Sequence, residues 1–423
     1  MKDRTLRVVT GLVAVVGALS AWRALQPSLR VPIPSLANKA EERMQDFRDA
    51  LYFPIREFMD GGNPYNPAAM FANWPVRQDF NLYQPYHLVL HMPFALPSYR
   101  VGAVAFTVVS LLLLTLLAWM AAAHVRVRVP IPLVLGTVVL ATLLVTSQLG
   151  KAQLYVGQVN PLIAVGAAGA LMARSSHPRW AALALAAAWL KPQFGLPLAI
   201  LLFARGSQRV ALTGTAIAAV ASLPWVALLI ARGGGVGPFL DVIAANLAHA
   251  NSTSYGAVDS VTAQRVDLPA VLFRLTGWVA PGAEALALVG ILALSVVLLR
   301  RLDRLGNPNA TAIADLLTCL AVVVAVVHQP GDLLIAVPAM ALVAALWWRH
   351  RREHDWRIVG FAVAALAVPF AHLHFVDNAL VALLGARAGV TLDGVAIVTA
   401  WVLLVIYAFR LVRVREPVVE GAR

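Results

Sequence analysis

Apolar residues along this chain fall into long runs rather than an alternating pattern. Runs approaching the roughly 20 residues that a helix needs to cross a bilayer lie at 7–25, 100–122, 130–147, 159–173, 209–231, 281–299, 311–327, 331–348, 356–372 and 390–410. Short segments rich in arginine, proline and glycine separate them. The strand-length alternation of an outer-membrane barrel is absent. The pattern predicts an all-α integral membrane protein. Composition narrows the class further. Of 423 residues, 60% are hydrophobic and 13% charged, against about 25% charged in soluble domains. An ordinary soluble enzyme and a disordered chain are both excluded.

One stretch, 180–204, has Lys191-Pro192 at its centre, and charge decides how to read it. If 180–204 is a broken pair of half-spans, the chain makes twelve passes with both termini inside. The short inner loops (123–129, 174–179, 205–209, 300–310, 349–357) then hold thirteen basic residues, and the short outer segments (148–158, 191–193, 328–332, 373–389) hold three, Lys191 among them. Reading 180–204 as one pass places the basic 349–357 cluster outside. The positive-inside rule therefore favours the break, as does proline, which stops a helix and restricts the residue before it. The net charge of +13 is read as this topology signal, not as a nucleic-acid surface. The first run continues to Leu25 with only a weak cleavage signal at 17–22, so it is read as a retained span. Two outer loops are long. Residues 26–99 carry candidate interfacial helices, and 232–280 begin with a triple glycine. The single cysteine, Cys319, lies within an apolar run.

With this topology the notable polar residues share the outer face. They are Asp46 and Asp49; Lys151, Gln153, Gln158 and Asn160; Lys191 and Gln193; Asn251 and Ser252; and His328, Gln329 and Asp332. Such a gathering suits a polar substrate presented from lipid. Each residue also has a plainer reading. Asp46 and Asp49 sit in a charged stretch, His328 at a helix end, and Lys191 within reach of headgroups. Gln158 and Asn160 can act as interhelical glue, and Trp74, Tyr83 and Tyr86 as an aromatic belt. His249, His372 and His374 receive no role. No histidine pair has metal-ligand spacing among carboxylates, and no metal or cofactor is expected.

Five segments carry a resemblance. They are Asp46-Phe-Arg-Asp49-Ala-Leu-Tyr52-Phe53-Pro54 followed by Gly61-Gly62-Asn63-Pro64-Tyr65; Tyr83-Gln84-Pro85 with Pro93-Phe94 and Pro97; Gly157-Gln158-Val159-Asn160; Leu190-Lys191-Pro192; and Asn251-Ser252 with His328. Their order and common placement resemble glycosyltransferase family 87. These are multispanning C-type enzymes that include the mycobacterial α-mannosyltransferases dependent on polyprenyl-phosphate mannose. The likeness covers about residues 1–350.

The resemblance implies transfer of a sugar, mannose first among candidates, from a polyprenyl-phosphate donor to a glycolipid or polysaccharide acceptor. The site would lie on the outer face of the cytoplasmic membrane. Such chemistry needs a base for the acceptor hydroxyl, which Asp46 or Asp49 can supply. It also needs groups that neutralise the departing phosphate, such as Lys191 or His328; His328 is alternatively the proton acceptor. Gln158, Asn160, Tyr52, Tyr65, Asn251 and Ser252 are the expected substrate contacts. Two other classes fit the same residues. A lipid-linked sugar flippase or small-molecule transporter would explain the broken pair, and a membrane assembly protein would use the polar residues only for packing.

Overall fold

The computed structural model describes residues 3–37, 42–371 and 374–413, and they are 77% helical. His372 and the tail beyond Arg413 lie outside the described residues. In chain order the principal helices begin with α1 (Asp3–Leu29), α2 (Phe53–Met59, entered through a π-helical turn at Phe47–Tyr52), α3 (Pro67–Asn73) and α4 (Tyr99–Arg126). Next come α5 (Leu133–Thr146), α6 (Gln148–Val156), α7 (Asn160–Ala173), α8 (Pro178–Ala188), α9 (Pro192–Ala204) and α10 (Gln208–Arg232). The rest are α11 (Val236–Ser252), α12 (Leu268–Thr276), α13 (Ala283–Arg304), α14 (Pro308–Ala325), a 3₁₀ turn at Pro330–Ala336, α15 (Val337–His350), α16 (Trp356–Ala371), α17 (His374–Leu384) and α18 (Leu392–Arg413).

Among the described residues, seven helices are long and apolar enough to span a membrane, and nine do so if each of two bent pairs counts once. The fold is therefore that of an all-helical, multi-pass membrane protein. The twelve passes read from charge are not reached on length. Helices α7, α8 and α9 have 14, 11 and 13 residues, and so run about 21, 17 and 20 Å against a hydrocarbon core of about 30 Å. A second difference concerns 148–158, expected as a loop. It contains α6, bent 64° from α5. Ser147 makes the bend: its backbone is extended and its side chain accepts the Gly150 N–H at 3.2 Å.

The break at 180–204 takes the form of a hairpin. Pro178, at the start of α8, and Arg205–Arg209, after α9, line one cavity, while Lys191 between the helices lines another. The other helices repeat this polarity. Asn160, at the start of α7, sits near the Lys191 turn, and Arg174, just after the helix, joins the first cavity. Helix α14 runs from Thr311, beside Arg205, towards His328. The bundle thus has a basic end and a second polar end. Each of α7, α8 and α9 starts with proline in its first turn, where the missing N–H costs nothing.

Helix α14 is the central one, with every residue from Ala312 to Ala325 buried. By contrast, α1 is peripheral, with Leu12, Val15, Leu19 and Trp22 exposed. Such a face is a liability in water and an asset in lipid. It meets α5 at Gly17 and Thr142, whose hydroxyl donates to the Val13 carbonyl at 3.3 Å.

At the basic end, Asp315 of α14 accepts from Arg174 at 2.8 Å and from Arg205 at 2.7 Å. Arg205 also grips both Asp303 oxygens at 2.8 Å. This knot ties α7, α9, α13 and α14 together. Removing one partner of a buried ion pair strands the other, at a cost of about 3–5 kcal/mol. Asp315→Ala is expected to lower stability by that order, read as a fall in the thermal unfolding midpoint in detergent. An unchanged midpoint would contradict this account of how the bundle is held.

Candidate active site

Three backbone features set the second polar end. Gly157 closes α6 in the left-handed region at φ 74, where a side chain is strained. A Cβ there would also lie 2.7 Å from that of Phe47. The Met44 N–H donates to the Tyr155 carbonyl at 2.7 Å. Glycine thus lets the segment bearing Asp46 lie against Gln158. The helical segment that follows Asp46 then takes π register over Phe47–Tyr52, a local widening often found at functional sites.

That register accompanies a division of labour between the two aspartates. Asp46 lines a cavity of about 330 Å³. Asp49 is buried among protein groups. Arg48 grips its two oxygens at 2.6 and 3.0 Å, and it accepts the backbone N–H groups of Arg77 at 3.2 Å and Gln78 at 2.9 Å. Its job is to fold the first loop back over the site. Burial raises the Asp49 carboxyl above its ordinary range, opposed by Arg48 and the two N–H groups. Asp46 is pushed up to about 6, mainly by desolvation, with Lys191 pulling down, Asp49 pushing up and a Gln158 side-chain hydrogen bond pulling down.

The cavity wall next to Asp46 is a polar network, joined to it through Gln158. Lys191 donates to Asn160 Oδ1 at 2.9 Å and to Gln158 Oε1 at 3.3 Å, and sits 5.5 Å from the centre of the Tyr83 ring. Asn160 Nδ2 lies 2.7 Å from Gln153 Oε1 and 2.6 Å from both Gln158 Oε1 and Asp332 Oδ1. Asp332 Oδ2 meets His328 Nδ1 at 2.8 Å and accepts the Gln329 N–H at 2.9 Å. Gly331 is pressed against the Gln153 side chain with no room for a Cβ. Asn251, Tyr255, Gln78 and Glu42 line the cavity as well. Among the described residues, no three His, Cys, Asp or Glu side chains group as a metal site requires.

Of the residues singled out from sequence, Asp46, Gln158, Lys191, Asn251 and His328 line one cavity, with Asn160 bonded directly behind it. Tyr83, Gln193, Gln329 and Asp332 line it as well, whereas three expected substrate contacts, Tyr52, Tyr65 and Ser252, are turned elsewhere. Tyr52 packs edge-on to Tyr99 at 5.1 Å and donates to the Pro97 carbonyl at 3.1 Å. The Tyr65 hydroxyl donates to the Tyr83 carbonyl at 2.8 Å. The Ser252 hydroxyl turns to the His249 carbonyl at 2.8 Å. Asp332 and Gln153 were visible in the sequence as polar residues without a role. The signal for Asp332 was its place four residues after His328. Glu42, Gln78 and Tyr255 carried no signal beyond polarity in a loop.

An all-helical membrane protein with a carboxylate, a lysine and a histidine around one polar cavity is a fitting frame for group transfer at the membrane. The model of glycosyltransferase family 87 matches residues 81–330 of the chain, more than half of its length. The chain belongs to that family and is a membrane glycosyltransferase. The match spans Gln158, Asn160, Lys191, Asn251 and His328, and begins after Asp46. No curated protein and no solved structure matches the chain.

The two aspartates should separate cleanly in a stability assay. Asp49→Asn removes the buried carboxylate that Arg48 grips at 2.6 and 3.0 Å and is expected to cost about 3–5 kcal/mol. Asp46→Asn should leave stability unchanged or raise it. A carboxyl raised from 3.8 to about 6 destabilises the fold increasingly between those two values, and the burden is fully present above about 6. Thermal unfolding at pH 7.5 compares the two variants, and equal loss in both would refute the division.

Proposed function

We propose that the chain transfers a sugar, with mannose the first candidate, from a polyprenyl-phosphate donor to a hydroxyl of a glycolipid or polysaccharide acceptor. The reaction is placed on the outer face of the cytoplasmic membrane, with the basic end and both termini facing the cytoplasm. The orientation rests on the positive-inside rule applied to arginine-bearing turns that meet at one end of the bundle, shown by Arg174 with Arg205 and by Arg349 bonded to the Arg128 carbonyl.

The observation that carries the reading is that Asp46, Lys191 and His328 line one cavity in a family 87 chain. Asp46 is the base. Its carboxylate takes the acceptor proton as the hydroxyl oxygen attacks the anomeric carbon. The bond from that carbon to the phosphate oxygen breaks, and its electron pair leaves with the phosphate. Lys191 stabilises the departing charge from the cavity wall, and His328 stands beside it. Burial and the cavity's low dielectric make such a base effective, because its pKa approaches the working pH. Gln158 and Asn251 serve as hydrogen-bonding groups for sugar hydroxyls.

The test is transfer of labelled sugar from a panel of polyprenyl-phosphate sugars to a crude lipid acceptor extract by the reconstituted protein. Asp46→Asn is expected to lower kcat by about 10²–10⁴-fold with expression unchanged. Movement of the donor across the bilayer without a new glycosidic product would favour a transporter instead. A carboxylate base works ionised, so kcat should rise as pH climbs through about 6 and level off above it. A profile flat across that window would remove Asp46 from the role.

A further inference from the structure

The charges lining the cavity do not suit an anionic donor. Among the described lining residues, Lys191 is the only lysine or arginine, and it faces Asp46, Asp332 and, at the mouth, Glu42. A phosphodiester brings one more negative charge into a site already short of cations. His328 is the only other lining group able to become a cation.

Its geometry is prepared for that change. Nδ1 is held by Asp332 Oδ2 at 2.8 Å, which directs one ring proton inward. The ring centre lies 4.4 Å from that of Phe194, which fixes its tilt. Nε2 is buried, has no hydrogen-bond partner among the described residues and belongs to a side chain of the cavity wall. A buried polar atom without a partner is uncommon and asks for an explanation. The second oxygen of Asp332 holds Asn160 at 2.6 Å, and Asn160 in turn accepts from Lys191 at 2.9 Å. One carboxylate therefore sets the orientation of the histidine and, through one amide, of the lysine.

We propose that Asp332 is a positioning residue that makes His328 the second cation of the donor site: binding of the donor phosphodiester is accompanied by uptake of one proton from solvent at His328 Nε2, which then donates to a phosphate oxygen beside Lys191. The inference rests on the phosphate-linked donor proposed above. The pattern is that of a histidine whose tautomer is set by the hydrogen bond at its other nitrogen. Asp332 never touches the reacting atoms. It favours the charged ring and holds it in register with the lysine.

The described titratable groups that share the cavity with His328 are Asp332 on its own turn, Lys191 between α8 and α9, Glu42, Asp46 and Tyr83 from the first loop, and Tyr255 from the second. Helix α9 contributes the apolar Phe194. The second loop contributes the Val266 N–H to the His328 carbonyl, while Arg265 turns into Asp267 and Glu284. Burial pushes the Asp46 carboxyl up to about 6, inside the pH range examined, so the measurement is made in an Asp46→Asn background.

The experiment is calorimetric binding of farnesyl methyl phosphodiester to the full chain in nanodiscs. This probe carries a fixed single charge and no transferable sugar. Binding is followed from about pH 5.5 to 8.5, the range in which histidines change charge, in buffers of differing ionisation enthalpy. Affinity should fall about tenfold per pH unit once free His328 has lost its proton, with close to one proton taken up per probe bound there. His328→Gln should abolish both the slope and the uptake. Asp332→Asn should weaken binding and shift the uptake window to lower pH, because the charged ring has lost its carboxylate. Asp332→Glu should restore part of the window. A merely structural Asp332 would change affinity equally at every pH, and that result overturns the inference. Binding with no pH dependence in the Asp46→Asn background overturns it too, while leaving the phosphate donor intact. Absence of binding at every pH overturns the donor reading and this inference with it.

Discussion

A polar group inside an apolar bundle must find a partner, since hydrocarbon offers none and each unsatisfied group costs several kcal/mol. The rest of this structure depends on how that constraint is met at the two ends of the bundle. At the basic end it is met by protein alone: Asp315 and Asp303 are matched to Arg174 and Arg205. At the cavity end a similar carboxylate, Asp332, is matched to His328, Asn160 and a backbone N–H. There the matching stops short. Among the described residues, His328 Nε2 has no partner, and Lys191 has two side-chain acceptors for three donors. One end is a staple, and the other is a staple whose members Lys191 and His328 line a cavity.

The same logic separates two aspartates only three positions apart. Asp49 is surrounded by a guanidinium and two backbone donors, so its charge is used up inside the protein. Asp46 keeps one amide neighbour and a cavity. Environment, not residue type, gives one a folding role and leaves the other available to chemistry, as in other enzymes with two unlike carboxylates. The π turn between them matters here. In a regular α-helix, residues three apart share a face, and both carboxylates would then compete for the same space.

What could be read from the chain follows from what each signal physically reports. Charge reports the side of a membrane, so the Lys191-Pro192 break is legible in the sequence, and the chain does turn back there as a hairpin. Glycine reports backbone demand, so Gly157 marked a motif whose purpose is close approach to Phe47. Apolar length reports spanning capacity but not bending. Nothing in the run through Thr146 announces the extended Ser147 or the helix beyond it. Aromatic residues were the least legible. Tyr52 and Tyr65 have the composition of sugar-stacking residues, yet they satisfy their own hydroxyls on backbone carbonyls and pack into the protein. A sequence does not distinguish a ring that waits for a ligand from one that has found a neighbour. Asp46 and Asp49 were indistinguishable for a related reason, since a π turn has no residue signature that spacing alone reveals.

The short helices explain why the first loop has to be where it is. Helices α7, α8 and α9 stop well before the width of a bilayer, which brings Asn160 and Lys191 inward to the site. Ending a helix there leaves its last carbonyls without intrahelical donors, and such backbone is tolerated at membrane depth only under a protein cover. The first loop provides that cover. Its Gln84 N–H donates to the Leu190 carbonyl at 3.0 Å, and the Tyr86 hydroxyl to that of Ala186 at 2.7 Å. The segment that brings Asp46 to the cavity therefore belongs to the same loop that caps the broken helix behind Lys191. Base and cation are positioned by one piece of chain meeting one backbone debt, so loosening the cap at Leu190 disturbs both sides of the cavity at once.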